Sequence, residues 1–116
     1  MNEKQYTKYT VDFRNVKHFS EVHTVIREGL DFPDYYGCNW DAFWDCITEP
    51  FGESVLIEIL GIEVLEQFGD DAYMLLSTLK EWKEYELQLG SENRVEIVRG
   101  DQRIEIDDDP IETLYR

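Results

Sequence analysis

The run Val55-Leu56-Ile57-Glu58-Ile59-Leu60 constrains this chain more than any other stretch. It is apolar but for one glutamate and β-branched at Val55, Ile57 and Ile59, which favours a mostly buried strand over a helix. It is the best central-strand candidate, and what flanks it decides the fold class. Upstream, Tyr9-Thr10-Val11-Asp12-Phe13 alternates, with Tyr9, Val11 and Phe13 on one face, and predicts the first strand. Two helices are predicted between these strands. The first carries the stripe Phe19, Val22, Val25, Ile26, with Ser20 or Asn15 as its cap, and runs out at Gly29. The second covers about Asn39 to Thr48, with Asn39 as its cap and Pro50 after its end.

Downstream, Ile62 to Phe68 makes two helical turns that end at Gly69. Asp70 or Asp71 can then cap a longer helix whose stripe includes Tyr73, Leu75, Leu76 and Leu79. Arg94 to Val98 and Arg103 to Ile106 alternate on either side of Arg99-Gly100-Asp101-Gln102, the pattern of a hairpin. Strands alternating with helices indicate an α/β fold: a small three-stranded parallel sheet packed with helices, with an extra C-terminal antiparallel strand. The length of 116 residues and the 42% apolar content suit a single domain over residues 1–116, with a polar tail over 107–116.

Charge narrows the function. Twenty-six acidic residues against 11 basic ones leave a formal charge of −15, which argues against nucleic acid or an anionic membrane as partner and for something cationic. The start of the chain lacks an apolar segment behind a basic end, and no window approaches a bilayer span, so a cytoplasmic location is expected. Cys38 and Cys46 are eight residues apart on a predicted helix, roughly 12 Å along its axis, too far for a disulfide. Cys46 reads as a small core residue and Cys38 as an exposed thiol. His18 and His23, five apart, face different sides of a helix and suit no metal site, and no cofactor motif is present. No nucleophile motif or phosphate loop accompanies Asp41 and Asp45, so catalysis is not expected.

The densest chemistry lies in Tyr35-Tyr36-Gly37-Cys38-Asn39-Trp40-Asp41-Ala42-Phe43-Trp44-Asp45-Cys46. Spacings of four put Trp40 and Trp44 on one side of a helix and Asp41 and Asp45 on a neighbouring side. Such a like-charge pair costs an isolated helix roughly 0.2–0.5 kcal/mol. A cationic pocket on a partner would turn it into charge-assisted hydrogen bonds. The same spacing also suits a helix whose tryptophans fill the core while its aspartates face water.

The stretch from Phe32 to Thr48, Phe-Pro-Asp-Tyr-Tyr-Gly-Cys-Asn-Trp-Asp-Ala-Phe-Trp-Asp-Cys-Ile-Thr, resembles the signature of the barstar family. The resemblance extends from about Tyr9 to Val98 and fades in the helices beyond Gly61. It implies a cytoplasmic inhibitor, monomeric when free, that protects its maker by blocking the active site of a basic secreted ribonuclease. Carried over residue by residue, it puts Asp45 where the nuclease holds a substrate phosphate, and Asp41 against a neighbouring cation. It also implies packing contacts from Tyr35 and Trp44, a polar contact from Asn39, and a glutamate of the later long helix, matched by Glu81. The chain departs from the family pattern at Cys38, which stands for an acidic residue, and at Trp40, which stands for an aliphatic one. The alternative is a module of the same fold that neutralises a different basic protein, such as a DNase toxin or a regulatory protein.

Overall fold

The run that opens the sequence argument forms β2 (Val55–Leu60), lying parallel to β1 (Thr7–Asp12) on one side and to β3 (Arg94–Arg99) on the other. β4 (Gln102–Glu105) adds antiparallel to β3, giving the order β1-β2-β3-β4. The computed structural model describes residues 5–48 and 54–108, so Pro50 and residues 109–116 of the predicted tail lie outside the described residues. The helices are α1 (Val22–Gly29), α2 (Trp40–Thr48), α3 (Ile62–Leu65) and α4 (Asp71–Gln88), with 3-10 turns at Phe19–Glu21, Glu66–Phe68 and Ile106–Asp108. The fold is α/β, with three parallel strands, one antiparallel C-terminal strand and packed helices, as expected from the sequence.

Alternation fixes which sheet face meets the helices. Val11, Ile57, Ile59, Val95 and Ile97 are buried with Ile26, Phe43, Ile47, Leu75, Leu76 and Trp82 of the helices in one core. Helix α1 lies so close to β1 that a Cβ on Gly29 would sit 2.7 Å from the carbonyl oxygen of Thr10, which reserves that position for glycine. The hairpin turns at Gly100, whose φ of 59° favours glycine. Among the described residues no helix is long and apolar enough to cross a membrane.

The opposite sheet face is closed by charge pairing. Glu58, the single charge of β2, is 5% exposed. It is bonded by Arg103 of β4, accepts from the Thr10 hydroxyl at 3.2 Å and pairs with Lys8 at 3.4 Å. Arg103 also reaches Glu96 at 3.6 Å, and Arg94 bonds Glu105 through Nε at 2.8 Å. Arg103 holds the Glu58 carboxyl below the usual carboxylate range, against the upward push of burial.

Several local expectations are corrected. Neither Ser20 nor Asn15 caps the first helix: Glu21 reaches back instead, accepting from the N–H groups of Lys17 at 2.9 Å and His18 at 2.8 Å. Phe19 sits in the tighter 3-10 turn, out of phase with the α1 stripe, and is exposed. Tyr73 is also exposed, its expected place on the inward stripe of α4 being taken by Ala72 and Trp82. Asp70 occupies the cap position of α4 without a side-chain bond. Asp107, the first residue of the expected tail, is exposed and pairs with Lys83 at 2.6 Å beside the buried Ile106.

Candidate partner-binding surface

The loop before α2 is held by the two aromatic residues that face inward. Phe32 and Tyr36 are buried, and their N–H groups bond the carbonyls of Arg27 at 2.9 Å and Pro33 at 3.0 Å. Tyr35, between proline and glycine, is left 73% exposed. Burial pushes the Tyr36 phenol well above its usual range, and its hydroxyl is hydrogen-bonded to His23 Nδ1, 2.6 Å away, in the direction that the imidazole tautomer sets. Burial lowers the His23 pKa, opposed by the charge of Asp71, which favours the protonated imidazole. The Trp40 and His23 rings meet edge-on with centroids 4.7 Å apart, and Trp40 continues through Phe43 to Phe32. This aromatic chain fastens the loop to both α1 and α2.

Asn39 begins α2 as predicted. Its Oδ1 accepts from the Ala42 N–H at 2.7 Å, satisfying a helix-end donor, and its Nδ2 donates to the Gly37 carbonyl at 3.2 Å. One Nδ2 hydrogen and one oxygen lone pair remain for a partner. Cys38, just before it, adopts a left-handed conformation with φ 56° and exposes its thiol, while Cys46 is half-buried and packed on the core.

On α2, Phe43 and Ile47 are buried, Trp40 and Trp44 are half-buried, and Asp41 and Asp45 are exposed. Among the described residues neither aspartate is ion-paired. The tryptophans pack against the core while remaining partly uncovered, and the carboxylates face water, as the second reading of the spacing expects. Trp44 meets Tyr85 of α4 edge-to-face, with centroids 5.8 Å apart. Glu81 is exposed on the same helix, one turn before Tyr85. Tyr35 lies in the loop and Asn39 at the cap that lead into α2, which carries Asp41, Trp44 and Asp45, and Glu81 belongs to the helix packed against α2.

Sequence reasoning missed two participants. His23, read from the sequence only as unsuited to a metal site, bonds Tyr36 of the loop from thirteen residues away. Tyr85 borders Trp44 across a helix pair, a contact with no local signal. Among the described residues no group of three His, Cys, Asp or Glu side chains is arranged to hold a metal ion.

Known proteins match this surface and its scaffold. A family profile described as Barstar (barnase inhibitor) matches residues 6–98. The chain is also similar to "Putative ribonuclease inhibitor YrdF" of Bacillus subtilis (strain 168), 46% identical over 41 residues that make up 35% of this chain and 45% of that protein. The match therefore spans about half the length of that curated relative. β4 and the turn after it lie past the family match. Because that match runs from the residue before β1 to the penultimate residue of β3, taking in the loop, α2 and all three parallel strands, the chain belongs to the barstar family.

Proposed function

We propose that this chain is a non-catalytic inhibitor of a basic ribonuclease, which it blocks by seating the Tyr35 loop and α2 in the active-site cleft. The observation that carries the reading is the pair of exposed carboxylates on α2 without an ion-pair partner among the described residues, set beside a loop anchored from within. Asp45 stands in for a substrate phosphate and Asp41 pairs with a neighbouring cation, each gaining hydrogen bonds that water-exposed folding does not supply. Tyr35 and Trp44 contribute apolar area, Asn39 its remaining polar valences, and Glu81 an acidic contact from α4. The loop and helix are pre-ordered, which reduces the entropy lost on docking. The proposal includes a monomeric free inhibitor acting in the cytoplasm. It excludes nucleic acid as the ligand, since a formal charge of −15 repels phosphate and attracts a basic protein.

The test is a titration of barnase-catalysed RNA cleavage. Inhibition saturating near one equivalent, with capture slowed by added salt, is the expected result. Unimpaired cleavage in several-fold excess of the chain overturns the reading. Protection of DNA from a basic DNase, with RNA cleavage untouched, would keep the surface but replace the partner.

A further inference from the structure

Where α4 ends, a cavity of about 260 Å³ opens between its last turns, the residues leading into β1 and β3, and the turn after β4. Lys83 and Leu87, one helical turn apart, form its α4 wall, and Tyr85 between them falls on another side of the helix. The cavity is therefore separate from the surface built by the Tyr35 loop and α2. Its less exposed polar groups are donors. Asn93 is 4% exposed; its Oδ1 accepts from the Val55 N–H at 2.9 Å, but its Nδ2 has no partner among the described residues. A buried donor left unpaired is costly, and its hydrogens call for an acceptor. Lys83 uses one ammonium hydrogen on Asp107 at 2.6 Å and keeps two. Arg94 bonds Glu105 through Nε and Nη2, which leaves Nη1, and its guanidinium lies over the Tyr6 ring, 5.6 Å from the centroid. Beside these donors Tyr6 and Leu87 supply apolar surface, and Leu87 is 63% exposed. The bordering acids, Glu84 and Glu92, are exposed.

We propose that this cavity binds a small monocarboxylate with an apolar body. The carboxylate oxygens accept from Lys83 Nζ, Asn93 Nδ2 and Arg94 Nη1, and the two charged donors make these bonds short and strong. The body covers Leu87 and the Tyr6 ring, burying apolar surface that the folded chain leaves in water. A cavity of this size, a little below the usual range for ligand pockets, suits a compact molecule. Glu84, Glu92 and the formal charge of −15 repel a second negative charge, which disfavours phosphate. A free acid and the C terminus of a peptide ending in an apolar residue present the same chemistry.

The test follows the Asn93 side-chain amide and the backbone signals of the full chain by two-dimensional NMR. The probes are phenylacetate, phenylacetamide, inorganic phosphate, and the peptide Gly-Gly-Phe with a free or an amidated C terminus. Phenylacetate should shift the signals of Lys83, Leu87 and Asn93 with a Kd of about 1 mM or below, while phenylacetamide and phosphate bind at least about tenfold more weakly. Tighter binding of the free peptide than of phenylacetate, lost on amidation, identifies a peptide end as the ligand, and the reverse order identifies a free acid. Lys83→Gln should weaken phenylacetate binding about tenfold. Asn93→Asp, which keeps the acceptor for Val55 but replaces the donor with an acid, should abolish it. Asp107→Asn releases Lys83 from its own acid and should tighten binding about threefold, which a merely structural Lys83 would not produce. Absence of shifts at these residues up to about 50 mM phenylacetate, or equal affinity for phenylacetate and either its amide or phosphate, overturns the proposal. So does a Lys83→Gln chain that stays folded and binds as the parent does.

Discussion

Across the sheet the register sets Glu58, Glu96 and Glu105 side by side on three neighbouring strands, while on α2 Asp41 and Asp45 stack one turn apart. The first row is neutralised: Arg103, Lys8 and Arg94 reach its carboxylates, and Thr10 donates a further hydrogen bond. The second row is not. Of the chain's 11 basic residues, Lys8, Arg14, Lys83, Arg94, Arg99 and Arg103 are engaged by other acids, and no ion pair among the described residues reaches either α2 aspartate. Folding accounts for the sheet row, because buried carboxylates must be paired. It accounts for less of α2, where Asp41 in the first turn suits the helix dipole but its like-charge pairing with Asp45 works slightly against the helix. Carboxylates that the fold itself leaves uncompensated are the ones available to a partner.

Substitution separates the two rows. Asp45→Ala should cost at least about 2 kcal/mol in binding to barnase, roughly 30-fold in Kd, and leave the melting temperature unchanged. A loss below about 0.5 kcal/mol, read by calorimetry or from rate constants, would end the assigned role of Asp45. Arg103→Ala should do the reverse. It strips Glu58 of its main partner while Lys8 and Thr10 remain, and half of the arginine side chain is already in water. The expected result is therefore a modest lowering of the urea midpoint, with nuclease affinity held within twofold. A variant that bound weakly but melted normally would show that the sheet face, too, serves the partner.

The scaffold was largely legible in the sequence because its signals are local. Alternation in β1, β3 and β4, the apolar run of β2 and the Asn39 cap each depend on residues a few positions apart. The candidate surface was legible for the same reason, since Tyr35 to Asp45 is one unbroken segment whose geometry follows from a loop anchored at both ends of a short span and one helix. What stayed hidden requires elements to meet. The burial of Glu58 depends on an arginine 45 residues away, the loop anchor on His23, and the setting of Trp44 on Tyr85. Phe19 and Tyr73 misled for another reason: apolar type suggested an inward face, but a 3-10 turn before α1 and the true phase of α4 turned them outward.

A pH titration sharpens the comparison further and should show the smallest effect. The two regions hold groups whose folded pKa values are both depressed, from different starting points. His23 is lowered from 6.5 by burial, and Glu58 is lowered from 4.5 chiefly by its bond to Arg103. In each case the unfolded chain binds the proton more readily, so the stabilisation is fully present above the unfolded value and is lost as pH falls through the folded one. The His23–Tyr36 contact should therefore begin to weaken below about pH 6.5, while the sheet row keeps its contribution until the acid reaches the Glu58 window near and below 4.5. Urea stability measured from pH 8 to pH 4 should fall in that order. His23→Gln, which retains an acceptor for the Tyr36 hydroxyl but does not titrate, should remove the upper step and leave the lower one. Identical pH slopes for the parent and His23→Gln between pH 6.5 and pH 5 would mean that the loop anchor does not depend on a neutral imidazole, since protonating it would then cost the fold nothing.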